Sequence, residues 1–283
     1  MAKDNGFKYY RYDPSLAAAA LFTTIFLLTS LLHIFQLIRA RTWYFTPLVI
    51  GCVMEGIGYV GRILSSHQSP NWALGPYILQ SIFLLVAPAL FAASIYMILG
   101  RIIIAINGEK FSLIKKKWLT KVFVTGDVLS FLVLSSGAGL LAGGNSSNST
   151  LGQDVILAGL FIQIIAFGIF IYVAILFHRR MLAHPTYEST QQNMPWQRHL
   201  YVLYFVSLLI MVRSVVRVVE YIQGNAGYIL SHEVFLYIFD GTLMFVAVAV
   251  FNIVHPSGLL PGRKGQNEEH VPMEPILIGS GGK

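Results

Sequence analysis

Three ionisable side chains stand close together in a mostly apolar stretch, LIMVRSVVRVVEYI, which runs from Leu209 to Ile222. Arg213, Arg217 and Glu220 are spaced by four and then three residues, so a helix would place all three on one face. A charged side chain at the centre of a bilayer costs about 2.5–3.5 kcal/mol on insertion scales. If the stretch crosses a membrane, the charged face should therefore point into a helix bundle.

Acidic side chains in other apolar stretches are available as partners for these arginines, and the whole set is close to neutral. The set is Glu55, Arg62, Asp127, Arg213, Arg217, Glu220 and Asp240. Pairing is what charges in a medium of low dielectric constant require. We therefore expect the seven side chains to form a polar cluster inside the bundle, mostly in its outer half.

Two interpretations of the cluster stay open. The pairs could simply hold helices together, although interhelical polar contacts are often worth less than about 1 kcal/mol each. Alternatively, they line a pocket or pathway for a polar ligand. Arg62 lies near the end of its span and could instead extend to the membrane interface. Pro88, in LLVAPALFAASIY, frees a backbone carbonyl, which predicts either a packing kink or a hinge.

Sequence patterns of several other site classes are absent. The chain has no H-E-x-x-H, no G-x-S-x-G, no P-loop, and no lysine in its last apolar run. Those absences exclude the corresponding zinc hydrolase, serine hydrolase, direct ATP use and retinal Schiff base. We expect no enzyme activity, no metal and no cofactor. Haem bound through His33 or Met54 remains an alternative, beside ordinary packing roles for both residues.

The charged residues must be positioned by membrane-spanning helices. The chain has 283 residues, of which 55% are hydrophobic and 12% charged, with a mean hydropathy of +0.64, whereas soluble domains carry about 25% charged residues. Seven runs reach the roughly 20 apolar residues that cross a bilayer. They lie at about 15–38, 43–63, 77–104, 118–141, 152–178, 199–222 and 232–254. We predict an all-α polytopic membrane protein with seven transmembrane helices.

Basic residues predict how these spans are oriented. Lysines and arginines follow spans one, three, five and seven, whereas the alternate loops SSHQSPNWALG, GGNSSNSTLGQD and QGNAGYILS have none. The positive-inside rule therefore places the C-terminus in the cytosol and the N-terminus outside or in a lumen. This distribution explains the net charge of +7 through anionic lipid, without a nucleic-acid partner.

The orientation also defines three segments. Residues 1–14 form an extracellular or lumenal N-terminal segment, 15–258 the transmembrane domain, and 259–283 a disordered cytosolic tail rich in Gly and Pro. The sequons at Asn145 and Asn148 fall in a predicted outer loop, so we expect them to be possible glycosylation sites.

Five ordered motifs carry a resemblance to a known family. They are EGIGYVGR, LLVAPALFAASIYMILGRII, GDVLSFLVLSSGAGL, RSVVRVVEY and YIFDGTLMFVAVAVFNIVHPS. Together they resemble the fungal lipid-translocating exporter family, which includes an aminocholesterol-resistance protein, a sphingoid long-chain-base exporter and a protoporphyrin-uptake protein. The resemblance implies a fungal seven-span protein, and it implies that the seven ionisable residues lie within the family's signature motifs.

The resemblance and the residues together predict translocation or export of amphipathic lipids, such as sphingoid long-chain bases or aminosterols, with resistance to toxic lipids as the outcome. Acids of the cluster would compensate an ammonium head group, and arginines would hold a phosphate or propionate. Haem or porphyrin binding or transport, a seven-helix lipid sensor and an intramembrane enzyme are the alternatives. The expected partners are membrane lipids and the amphipathic substrate. The expected location is the plasma membrane, or otherwise the endoplasmic reticulum or vacuole. Substrate identity, transport direction and oligomeric state stay open.

Overall fold

Seven long helices make up most of the computed structural model, which describes residues 10–142, 146–190, 195–224 and 227–259. They are α1 (Leu16–Ala40), α2 (Thr46–Ser66), α3 (Leu74–Ala105), α4 (Lys116–Ala142), α5 (Ser146–Ala183), α6 (Trp196–Gln223) and α7 (Glu233–Ile253). Within the described ranges there is no strand, and each of the seven is long and apolar enough to span a membrane. The predicted all-α, seven-span architecture is confirmed.

The helix limits differ most from the predicted span at α5, which begins at Ser146 rather than 152 and ends at Ala183 rather than 178. An apolar run marks the part of a helix that can lie in lipid, but the helix itself continues until a residue breaks it. Here the break follows at Pro185, because a proline disfavours the helical conformation of the residue before it.

Local sequence explains where α1 begins and where α6 ends. Ser15 caps the start of α1, and its side chain accepts a hydrogen bond from the backbone N–H of Ala18 at 3.4 Å, as an N-cap serine does. α6 ends at Gln223 and is followed by Gly224, whose φ of 73° lies in the region that favours glycine. The side of the bundle where α1 begins is called the N-terminal side below, and the opposite side the C-terminal side.

The seven helices pack in chain order and then close on themselves. Consecutive helices from α1 to α5 contact one another, α6 packs against α3, α5 and α7, and α7 packs against α1. Leucines such as Leu28 and Leu31 of α1 are exposed on the outside of the bundle, as lipid-facing side chains would be. Glycines make the α2–α3 contact close, since a Cβ at Gly58 would lie 2.8 Å from Leu84 Cδ2.

A π-helical segment interrupts α7 at Tyr237–Thr242. The Thr242 hydroxyl donates to the Tyr237 carbonyl oxygen five residues earlier, at 2.9 Å. A π-helical turn holds an extra residue compared with an α-helical turn and often occurs at a functional site. The segment contains Asp240, so it sets the direction in which this carboxylate points.

Candidate functional site: a buried ion-pair network between α6 and α7

Asp240 binds both arginines of α6 and is the centre of the site. Arg213 Nε donates to Asp240 Oδ1, and Arg217 Nη2 donates to Oδ2 of the same carboxylate at 2.6 Å. Arg217 Nη1 also donates to both carboxylate oxygens of Glu220, at 3.0 and 3.2 Å. We call these four residues the arginine–aspartate network. Their two positive and two negative charges cancel, as buried ion pairs require.

The network extends to α3 through a backbone carbonyl. Arg213 Nη2 donates to the carbonyl oxygen of Leu84 at 2.7 Å. In an α-helix this oxygen would accept the N–H four residues later, but that position is Pro88, which has no N–H. Arg213 therefore satisfies an acceptor that the proline leaves free, and it links α3, α6 and α7. The role of Pro88 as a hinge stays a prediction.

Glu55 of α2 faces the network without bonding to it. Its side chain is fully buried, and neither carboxyl oxygen has a hydrogen-bond partner among the described residues. The charged groups around it are Asp240, Arg213 and Arg217. Tyr59, one turn along α2, also approaches α7, and its hydroxyl is likewise without a partner in the described chain. A buried carboxyl with no donor is the least satisfied group of the site.

A small cavity opens beside the network between α6 and α7. One part of its wall is ionic and the other apolar. Its lining residues are Arg213, Val216, Arg217, Glu220, Ile229, Phe235, Leu236, Phe239 and Asp240. Its empty volume of about 220 Å³ is below the roughly 300–1,000 Å³ of typical ligand pockets, so the cavity has the size for a head group and not for a whole amphiphile.

Arg62 lies in a separate cluster on the N-terminal side. Its Nη2 donates to Glu233 Oε1 at 2.7 Å and to the Tyr12 hydroxyl at 2.8 Å, and its Nε donates to the Tyr237 hydroxyl at 3.0 Å. The Arg62 side chain is 0% exposed, so it is enclosed by protein. The Arg62 cluster is completed by Gln80, whose Oε1 lies 3.4 Å from Nη1.

The N-terminal segment is held down by this cluster. The Tyr10 hydroxyl donates to Gln80 Oε1 at 2.9 Å, and the backbone N–H of Ser15 donates to Glu233 Oε1 at 2.8 Å. Burial raises the pKa of the Tyr10 and Tyr12 hydroxyls, while the positive charge of Arg62 acts in the opposite direction. Both tyrosines therefore remain neutral donors or acceptors at physiological pH.

Asp127 of α4 lies in a third place. It faces Tyr96 of α3, whose ring packs among Phe123, Phe167 and Phe170.

Sequence reasoning put all seven ionisable residues into one set, whereas the structure divides them into the network with Glu55, the Arg62 cluster and Asp127. Helical period fixes which residues share a face of one helix, but it does not say which faces meet.

Sequence reasoning also missed several contributors to these clusters, among them Tyr10 and Tyr237. Glu233, at the first position of α7, is the carboxylate that pairs with Arg62, and Tyr12 and Tyr59 add hydroxyl groups. The aromatic-rich N-terminus was a sequence signal for Tyr12, because the segment carries more tyrosines than a chain that only precedes a helix would need. The Leu84 carbonyl was signalled by Pro88, since the proline must leave one acceptor free.

Two further predictions concerned His33 as a possible haem ligand and Asn145 and Asn148 as glycosylation sites. His33 Nε2 lies 3.1 Å from the Val248 carbonyl oxygen, and among the described residues no group of three or more His, Cys, Asp or Glu side chains could hold a metal ion. Asn145 lies outside the described residues. Asn148 lies in the first turn of α5, with its side chain outside the described part. Glycosylation stays a prediction.

Comparison with known proteins identifies the family. The model of the RTA1-like protein family matches residues 48–263. Two relatives from Saccharomyces cerevisiae are similar along most of their length. Protoporphyrin uptake protein 1 is 37% identical over 88% of this chain and 92% of its own, and protein RTA1 is 38% identical over 90% and 87%.

A more distant relative is named for a lipid. The sphingoid long-chain base transporter RSB1 of Saccharomyces cerevisiae is 25% identical over 82% of this chain and 69% of its own. No solved structure matches the chain. The matched range covers α3 to α7 and all of α2 except its first two residues, and it includes Glu55, Arg213 and Asp240. This chain therefore belongs to the RTA1-like protein family.

Proposed function

We propose that this protein moves amphipathic lipids, such as sphingoid long-chain bases or aminosterols, across a membrane, and that the arginine–aspartate network receives their head groups. A relative named as a sphingoid long-chain base transporter supports the substrate class. The observation that carries the proposal is the cavity beside Asp240, which combines an ionic wall with an apolar one. Resistance to toxic lipids would be the outcome for the cell.

The network is suited to receiving a head group because its charges are already desolvated. A charged head group that entered plain hydrocarbon would lose its hydration without compensation. Beside the network, an ammonium would meet Glu220 and Asp240, and a phosphate would meet Arg217. The hydrocarbon tail would remain against Phe235 and Phe239, towards the lipid.

Lipid flux into reconstituted vesicles tests the proposal. We expect vesicles with the full chain to move a fluorescent sphingosine between leaflets faster than protein-free vesicles. Asp240→Asn should abolish the difference, while Asp154→Asn, which removes an exposed acid of α5, should leave it intact. Because Asp240→Asn removes a buried ion partner, a second variant, Val216→Phe, fills the cavity without touching a charge. Equal flux in wild type, Val216→Phe and protein-free vesicles would reject transport and favour a lipid sensor.

Porphyrin transport is the second candidate, because a relative 37% identical to this chain is named for protoporphyrin uptake. Protoporphyrin carries two propionates, and Arg213 and Arg217 present two guanidinium groups on one helix face. Titration of the purified protein with protoporphyrin IX should then shift the Soret band, and Arg217→Gln should weaken binding. No spectral shift in the wild type would exclude this candidate.

We infer that the protein resides in the plasma membrane, with its N-terminus outside. The seven apolar helices make it an integral membrane protein, and the basic loops support the orientation. Imaging of a C-terminal fluorescent fusion against markers of the plasma membrane, endoplasmic reticulum and vacuole tests the location.

A further inference from the structure

The charges around Glu55 already balance without it. Arg213 and Arg217 are each bonded to Asp240, and Arg217 is also bonded to Glu220. Two guanidinium groups and two carboxylates therefore make a neutral group. An ionised Glu55 would leave one net negative charge in the interior of the bundle, where an uncompensated charge is strongly unfavourable.

Glu55 also lacks the hydrogen bonds that would stabilise a carboxylate. Both of its oxygens are buried and without a partner in the described ranges. The titratable and charged groups that face it are Arg213 and Arg217 from α6 and Asp240 from α7. On its own helix, Cys52 and Tyr59 lie one turn to either side. The arginines are engaged by other acids, so a neutral, protonated carboxyl is the form that fits this position.

We propose that Glu55 is a proton-binding site through which this protein exchanges one proton for one cationic amphiphile. The proposal rests on the proposed function, since it assigns a counter-ion and a charge class to the same site. In the structure, Glu55 holds the proton and the network is internally paired. When an ammonium head group enters, the O–H bond of Glu55 breaks and the proton leaves to water.

The exchange is balanced in charge and atoms. Before it, the site consists of a neutral carboxylic acid and a neutral network. After it, the site consists of a carboxylate, an ammonium and the same neutral network. The carboxylate is formed where the new positive charge arrives, so the buried site never carries a net charge. Ionisable residues inside membrane spans serve as proton relays in other transporters, and the orphaned position of Glu55 fits that role.

The experiment needs a cationic amphiphile that cannot cross as a free base, because a neutral amine carries protons across vesicles without any protein. N,N,N-trimethylsphingosine has a permanent positive charge and serves as the probe. The full chain is reconstituted in vesicles with a pH-sensitive dye inside, and the probe is added outside. Entry of the probe is measured separately, by the fraction that serum albumin no longer extracts.

We expect wild-type vesicles to take up the probe and to become more alkaline inside. Glu55→Gln should reduce the pH change to that of protein-free vesicles, and Glu55→Asp, which keeps the acid, should retain it. Glu188→Gln is the matched control, since Glu188 is a partly exposed acid that accepts a hydrogen bond from Asn107 on the C-terminal side. Probe uptake without a pH change in the wild type, or an unchanged pH response in Glu55→Gln, would overturn the proton exchange alone. No probe uptake by the wild type would also count against the proposed function.

Protonation of Glu55 can be measured without transport. A protonated carboxyl has an infrared carbonyl band that a carboxylate lacks, and we expect this band in the wild type and its loss in Glu55→Gln. Glutamine is a neutral near-isostere of glutamic acid, so the melting temperature of Glu55→Gln should equal that of the wild type. A wild type without the band, or a strongly destabilised Glu55→Gln, would show that Glu55 is ionised and would overturn the proposal.

Discussion

Arg213 on α6 occupies the hydrogen-bonding position that Pro88 leaves open on α3. Its Nη2 lies 2.7 Å from the Leu84 carbonyl oxygen, which is the acceptor that a residue with an N–H at position 88 would use. The free carbonyl oxygen of α3 thus accepts the hydrogen bond that the buried guanidinium of α6 needs to donate. The contact joins the proline of a predicted kink to the arginine–aspartate network, which gives Pro88 a chemical role in addition to any effect on helix shape.

Replacing Pro88 should weaken the hydrogen bond between Arg213 and the Leu84 carbonyl oxygen. In Pro88→Ala the alanine N–H can donate to the Leu84 carbonyl and compete with Arg213, whose hydrogen bond, being charged, is worth roughly 1.5–3 kcal/mol. We expect slower lipid flux with little change in helix content. Pro47→Ala is the control, since Pro47 lies in the first turn of α2, where no internal hydrogen bond is missing. Equal flux in the two variants would contradict the role of the proline.

Asp240→Asn should destabilise the fold because two buried arginines lose their shared partner. Breaking a buried ion pair from one side costs about 3–5 kcal/mol. The double variant Arg213→Gln/Asp240→Asn should recover part of this loss, since it leaves the complete pair of Arg217 and Glu220. Thermal melting of the purified protein measures both effects. A double variant no more stable than Asp240→Asn would show that the charges do not act as a balanced network.

Gly241→Ala should disturb the π-helical segment that positions Asp240. A Cβ at this residue would lie 2.5 Å from the Tyr59 hydroxyl oxygen and 2.6 Å from Phe22 Cε1. Overpacking of this kind typically costs about 1–3 kcal/mol. Gly139→Ala is the control, because nothing lies within 4 Å of its Cβ position. The melting temperatures should fall for Gly241→Ala only; a similar fall in both would indicate a general intolerance of alanine.

Alkaline pH should loosen the N-terminal segment through Tyr12. Burial raises the pKa of this hydroxyl above its ordinary value of about 10, although Arg62 opposes the effect. A group whose pKa is raised on folding contributes stability that is complete below the unfolded pKa and lost as pH rises through the folded one. The melting temperature should therefore fall more steeply above about pH 10 in the wild type than in Tyr12→Phe.

Tyr187→Phe provides the control for this pH profile. Tyr187 is 77% exposed, so its removal should leave the alkaline decline as steep as in the wild type. An equally steep decline in Tyr12→Phe would mean that other groups cause it, with Tyr10 as the next to test.

Cysteine labelling should determine the orientation. Cys52 is the single cysteine of the chain and is buried, so Cys52→Ala supplies a background without thiols. Asn71→Cys and Leu113→Cys then place thiols at exposed positions between α2 and α3 and between α3 and α4. An impermeant maleimide should label Asn71→Cys in intact cells and Leu113→Cys only after permeabilisation. The reverse pattern would refute the orientation inferred from basic residues.

The sequence alone determined the seven spans and the inward face of α6. Apolar length and helical period are local properties, so LIMVRSVVRVVEYI was enough to place Arg213, Arg217 and Glu220 on one buried face. The position of Asp240 within span seven was also readable.

Only the tertiary structure decided which charges meet. Arg62 pairs with Glu233, Asp127 faces Tyr96, and Glu55 is left without a donor among the described residues. These outcomes depend on which helix faces approach each other, and no spacing within one helix contains that information. The π-helical segment could not be predicted from the sequence for the same reason. Tyr59 and Phe22 pack closely against Gly241, and this tertiary contact, rather than local propensity, accompanies the segment. The extra residue of the π-helical turn directs Asp240 towards both arginines.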